Sequence, residues 1–258
     1  MDPHFVLAVL AAGFGAGFVL TAVGAGSLVS FPLLVGAGLT PLVANVCNNV
    51  GLVPGGLTGA FGFRRELAGH RHLVLRVART SAVGALLGGA LLLALPPGAF
   101  DTVVPFLVLA SATLVGLGPL ISRWVRGRAA RRGVVLATDR ERMGPGLSGL
   151  SGLVGVYGGY FGAAQGVLLV AVLALGLDVP LHTVNGLKNV AVASANVAAT
   201  LVFVFFAPLD WTVVGLVAVG SVVGGWLGAH LGRRLPPAVF RALVVVFGYV
   251  VGIKLLLA

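Results

Sequence analysis

Charge is what this chain has least of. Of 258 residues only 9% are charged, with Asp and Glu supplying 7 and Lys and Arg 17, against 58% hydrophobic residues. Mean hydropathy is +1.07, and apolar runs of about twenty residues recur along the whole length. That combination excludes a soluble domain and predicts a polytopic helical membrane protein. Cysteine is nearly absent as well: Cys47 stands alone, so no internal disulfide can form and no CxxC or Cys/His metal set exists. Lysine is limited to Lys188 and Lys254. No phosphate-binding loop is present, so the chain does not itself consume ATP. The net charge of +10 does not mark a nucleic-acid binder, because the basic residues fall in short clusters between apolar runs and read as topology signals. The opening "MDPHFVLAVLAAG" lacks the basic start of a cleaved signal peptide and is expected to stay in the mature protein.

What the chain does have is internal repetition. Asn185 lies 140 residues after Asn45, and the same ungapped offset places Asn189 on Asn49, Gly166 on Gly26, Gly176 on Gly36 and Ser221 on Ser81. It also places Gly224 and Gly228 on Gly84 and Gly88, and Leu235-Pro236-Pro237 on Leu95-Pro96-Pro97. One offset serving so many dispersed positions indicates duplication.

Charge then supplies orientation. "FRRELAGHRH" (63–72) and the linker at 122–144 are Arg-rich and are expected in the cytoplasm, whereas "LPPGAFD" (95–101) has no positive charge. In the second half the pattern reverses: "GRRLPPAVFR" (232–241) is basic and "FAPLDW" (206–211) carries no arginine. The halves therefore enter the membrane in opposite senses, and an odd number of crossings per half is required. Three spans are expected in each, at 43–63, 73–95 and 101–121, then 183–207, 211–232 and 237–257. Ahead of each set lies a Gly-rich hairpin, 5–38 and 146–177. At about 25 Å per arm it falls short of a ~30 Å hydrocarbon core and should be broken or re-entrant. The expected fold is an all-α integral membrane protein of two inverted-topology repeats, 1–121 and 146–258, joined by a basic cytoplasmic linker at 122–145.

Polar residues inside such a fold need partners. "ANVCNNV" (44–50) and "VNGLKNV" (184–190) put Asn45/Asn49 and Asn185/Asn189 four apart on one helical face, with Lys188 at the position of Asn48. Two readings stand: amides bonding between helices with Lys188 snorkelling to the interface, or a polar binding site, because intramembrane ionisable groups are as a rule functional. The hairpin centres bring Gly26, Ser27, Gln165 and Gly166, where a tight turn would leave free N–H groups at a helix start that attract anions. Close packing through small residues is the competing reading, and the favoured one for Gly84/Gly88 and Gly224/Gly228. Trp124 and Trp211 look like interface anchors. Asp178 and His182 sit at the mouth of their span, where a proton relay is one reading and capping or plain solvation the favoured one.

Taken together, the Gly-rich hairpin with "GAGSLVSFPLL", the amide motif, the segments "SAVGALLGGALLLALPP" and "GSVVGGWLGAHLGRRLPP", and the duplication resemble the TauE/SafE sulfite exporter family of bacterial membrane permeases, over nearly the whole chain. The resemblance implies export of small sulfur-containing anions such as sulfite or sulfonates. It carries over to the paired motifs Asn45, Asn48, Asn49 and Asn185, Lys188, Asn189. Because "NGLKN" departs from "NVCNN", the two halves should contribute unequally.

The expectation is a multi-pass plasma-membrane transporter working by alternating access on a small anionic substrate in a lipid bilayer, with no cofactor, no metal and no catalytic residue. Two alternatives stay open, a carrier of another anion such as a carboxylate and a non-transporting membrane scaffold. An intramembrane enzyme using Ser27 or Cys47 is disfavoured, since no acid or histidine lies at membrane depth to activate either. The passenger, the coupling ion and the oligomeric state are not encoded legibly.

Overall fold

The computed structural model describes residues 3–96, 98–132, 142–231 and 237–257, and every regular element among them is an α-helix. There are ten: α1 (Pro3–Ala22), α2 (Ser27–Gly36), α3 (Pro41–Gly62), α4 (Arg71–Ala94), α5 (Ala99–Arg132), α6 (Pro145–Tyr160), α7 (Gln165–Gly176), α8 (Leu181–Phe206), α9 (Trp211–Leu231) and α10 (Pro237–Leu257). Helix is the only open-ended way to satisfy backbone groups in hydrocarbon, and local signals set the starts. Pro41 and Pro145 stand in the first turns of α3 and α6, where a missing N–H costs nothing. The Asp210 carboxylate caps α9, accepting from the N–H groups of Thr212 at 2.9 Å and Val213 at 3.1 Å. Five helices are long and apolar enough to cross a membrane: α1, α4, α5 over Ala99–Leu120, α8 and α9.

Both Gly-rich hairpins are broken, as expected, but their arms are unequal. α1 has 20 residues against 10 in α2, and α6 has 16 against 12 in α7. At 1.5 Å per residue the first arm of the first hairpin is about 30 Å long and the second about 15 Å, so neither glycine turn sits at the centre of its hairpin. α5 also runs on as helix through the start of the basic linker to Arg132. Residues 133–141, the Pro97 turn, 232–236 and the Trp124 side chain lie outside the described residues.

The two halves do not fold side by side. The most extensive helix contacts all join one half to the other, and they come in matched pairs: α1 on α9 with α6 on α4, and α3 on α9 with α8 on α4. α5 meets α10 and α3 meets α8 across the same division. Small residues make these crossings close. A Cβ on Gly84 or Gly88 of α4 would collide with the carbonyl oxygen of Gly152 or Val156 on α6, and one on Gly228 of α9 would lie 2.7 Å from that of Phe18, so the glycine pairs of α4 and α9 do serve packing.

The correspondence of the halves is not gapless. Gly24 and Gly162 each donate an N–H to a carbonyl five residues back, Val19 and Tyr157 respectively, an offset of 138. The helices that follow keep 140. The two extra residues of the second half fall at the start of α7, so Ser27 opening α2 answers Gln165 opening α7, and the match of Gly26 with Gly166 is displaced.

Candidate functional site at two crossed helix breaks

The breaks in the two hairpins touch. Gly166 donates its N–H to the Gly24 carbonyl at 3.0 Å. A Cβ on Gly24 would lie 2.7 Å from the Gly166 Cα. Gly24 also has φ +86°, a conformation open to glycine at no steric cost. Backbone therefore crosses backbone here, with no side chain between.

Each break leaves helix-end carbonyls that need donors, and each receives them from the opposite half. The Lys188 side chain on α8 turns inward and donates from Nζ to the carbonyls of Thr21 at 2.9 Å and Leu20 at 3.5 Å, in the last turn of α1. It is 1% exposed, so it does not snorkel. Its Cδ lies 3.3 Å from where a Gly24 Cβ would stand. A cation at a helix C-terminus is favourably placed against the macrodipole. Asn45 on α3 plays the matching part at the second break, donating from Nδ2 to the Tyr160 carbonyl that ends α6, at 3.0 Å.

Asn48, at the position of Lys188, serves the first hairpin from the other side. Its Nδ2 donates to Ser27 Oγ at 3.0 Å, and its Oδ1 accepts from Ser30 Oγ. The first turn of α2 is thus fastened to α3. At the second turn Tyr157 donates to the Ala163 carbonyl, and Ser111 Oγ stands 2.6 Å from the Tyr157 hydroxyl, which it hydrogen-bonds, and 3.2 Å from the same carbonyl. That turn contains Ala164 at φ +61°, a left-handed alanine that costs about 1–2 kcal/mol.

Three predicted residues keep unpaired polar atoms in the interior. Both carboxamide atoms of Gln165, one of Asn49 and one of Asn189 are buried without a hydrogen-bond partner. Asn45 and Asn49 share a face of α3, and Gln165 precedes the crossing residue Gly166. Asn185 is half-buried one turn ahead of Asn189. Gly26 sits in the first turn, where a Cβ would lie 2.7 Å from that of Leu20.

One expectation changes: the start of α7 is not a set of free amides. The N–H groups of residues 165, 166, 167 and 168 all donate to backbone carbonyls. Sequence reasoning also passed over Gly24, Thr21, Ser30, Ser111, Tyr157 and Tyr160. The one available signal was Tyr157 and Tyr160, two of only three tyrosines, both beside a glycine turn. Cys47 is buried and paired with backbone, accepting from the Asp210 N–H at 3.2 Å. Among the described residues, no group of three or more His, Cys, Asp or Glu side chains could hold a metal.

Residues 9–255 match the family described as sulfite exporter TauE/SafE. The chain is 27% identical over 262 residues, 98% of its own length and 93% of the relative's, to "probable membrane transporter protein ORF9" of a Sinorhizobium species. It is 25% identical to a "probable membrane transporter protein" of Haemophilus influenzae, covering 94% of this chain and 91% of the other. It is 26% identical to "probable membrane transporter protein YfcA" of Escherichia coli, covering 93% and 86%. No solved structure matches. With five helices of membrane-crossing length and composition and a family match spanning nearly its whole length, this multi-pass chain belongs to the sulfite exporter TauE/SafE family of membrane transporters.

Proposed function

We propose that the chain exports small sulfur-containing anions, of the sulfite or organosulfonate type, by alternating access at the interface of two inverted repeats. The observation that carries this reading is Lys188. It is a buried cation whose hydrogen bonds go to two helix-end carbonyls and to no carboxylate. A charge at that depth costs about 2.5–3.5 kcal/mol or more without compensation, and carbonyl dipoles offset only part of it. An anion beside Lys188 completes the neutralisation. The unpaired carboxamide atoms of Gln165, Asn49 and Asn189 replace part of the anion's water shell, and Asn45, Asn48, Asn185, Ser27, Gly26 and Gly166 shape the surrounding walls.

The matched contacts between halves support a two-fold relation, and the reversed distribution of arginines supports an axis in the membrane plane. Rocking one half against the other then opens the crossed breaks first to one side and afterwards to the other. An inside-negative potential contributes about 2.3 kcal/mol per charge per 100 mV to outward movement of an anion, so no motor is required.

The test is sulfite efflux from proteoliposomes under an imposed potential. Lys188→Gln should lower the rate about 10- to 100-fold, the loss of a charge-assisted hydrogen bond of about 1.5–3 kcal/mol. The double variant Asn45→Ala/Asn185→Ala should also be impaired. Folding is checked by size exclusion and thermal melting. Normal efflux by both variants would remove the site, and competition by sulfonates against carboxylates ranks the passengers.

A further inference from the structure

An open surface cavity lies away from the helix breaks, between the C-terminal halves of α3 and α9. Its volume is about 610 Å³. Its walls are Leu57, Phe61 and Trp226, all more than half exposed on the outer surface of the helix bundle, and Gly62 forms the floor, where a Cβ would lie 2.5 Å from that of Ala229. Two basic side chains stand at its mouth. Arg64 folds back over the Phe61 ring, its Cζ 4.4 Å from the centroid, and spends one N–H on the Phe61 carbonyl. His230 stacks on Trp226 at 4.7 Å and holds the Trp226 carbonyl through Nδ1 at 2.8 Å. Among the described residues, no acidic side chain lines the cavity.

The repeat provides an internal control. At the offset of 140 that holds through these helices, the corresponding face between α8 and α4 has Val204 for Arg64, Ala90 for His230, Leu86 for Trp226 and Val202 for Gly62. Duplication therefore supplied an apolar seam twice, and only one copy has a glycine floor, an indole wall and a cationic mouth. That copy opens beside the Arg-rich 63–72 loop, on the side expected to face the cytoplasm, where anionic lipids concentrate.

We infer that this cavity binds one phospholipid with an anionic headgroup, its acyl chain between Phe61 and Trp226 and its phosphate against Arg64 and His230. The chemistry divides cleanly: apolar walls give binding without headgroup preference, and the Arg64 charge near the surface favours an anionic headgroup by about fivefold, from about 1 kcal/mol per charge. Two helix C-termini point toward the mouth and oppose an anion, and this is why the cations are needed.

The inference is tested without any transport readout. In a Trp124→Phe/Trp211→Phe background, Trp226 is the sole indole, and its quenching is measured in vesicles containing brominated phosphatidylglycerol or brominated phosphatidylcholine. Phosphatidylglycerol should be preferred about fivefold or more, and Arg64→Gln/His230→Gln should abolish the preference while phosphatidylcholine quenching stays the same. Equal quenching by the two lipids, or a preference that survives the double substitution, overturns the proposal. So does an equal preference reported by an indole placed on the opposite seam, Leu86→Trp with the three native tryptophans replaced by Phe, because that would be a leaflet effect. Native mass spectrometry of the unaltered chain, comparing retained phosphatidylglycerol with phosphatidylcholine, gives the same decision should the tryptophan variants not fold.

Discussion

The two helix breaks occupy corresponding places, after α1 and after α6, and are held by different means. At the first, a lone cation from the other half, Lys188, satisfies the end of α1, and the amide of Asn48 secures the start of α2. At the second, Asn45 closes the end of α6, the paired hydroxyls of Ser111 and Tyr157 hold Ala163, and the strained Ala164 is part of the clamp. The second turn is thus fastened by several neutral bonds, none of which is decisive. The first depends on one charge that an anion could draw away. The two turns, crossing at Gly24 and Gly166, form an asymmetric pair, and under the proposed function the first is the one substrate would release.

That comparison can be broken most severely at the crossing itself. Gly24→Val combines a left-handed backbone with a collision against the Gly166 backbone, so a loss of about 3 kcal/mol or more is expected, read as a collapse of monodisperse protein on size exclusion. Next comes Lys188→Met, which leaves the Leu20 and Thr21 carbonyls without their donor. It should cost about 1–3 kcal/mol in detergent melting, and it should suppress efflux beyond what the lower stability explains. Asn45→Ala at the second break should cost about 0.6–1.7 kcal/mol, the range for one bond between membrane helices, with efflux reduced less than by Lys188→Met. Smallest is Tyr157→Phe, which deletes a single hydroxyl while Ser111 still reaches Ala163, and a shift of about 0.6 kcal/mol is expected. If Tyr157→Phe proves more damaging than Lys188→Met, the assignment of fixed and releasable turns is reversed.

Much of this was legible in the sequence, though unevenly. Apolar length gave the helical class and four of the six expected spans, α4, α5, α8 and α9, while α1 joins them in place of α3 and α10; the amide motifs pointed to α3 and α8, because polar atoms in a chain this apolar have few places to go. The unequal arms were not legible, since α1 and α2 are similarly apolar and only the turn marks where one ends. The two-residue shift between halves was hidden for a similar reason: runs of Gly, Ala and Leu match almost as well at 138 as at 140. Lys188 was singled out correctly as unusual, but its partners are backbone carbonyls 167 and 168 residues away. Carbonyls carry no residue identity, so no pattern of side chains could have named them.

The exchange of helices between halves bears on how the protein is made. α1 rests on α9, so α1 has no principal partner until Trp211–Leu231 has been synthesised. At about 5–20 residues per second that interval is roughly 10–40 s, during which the small-residue face of α1 is covered only by lipid or by assisting factors. A gene cut in the linker should therefore yield two fragments that mature only when expressed together.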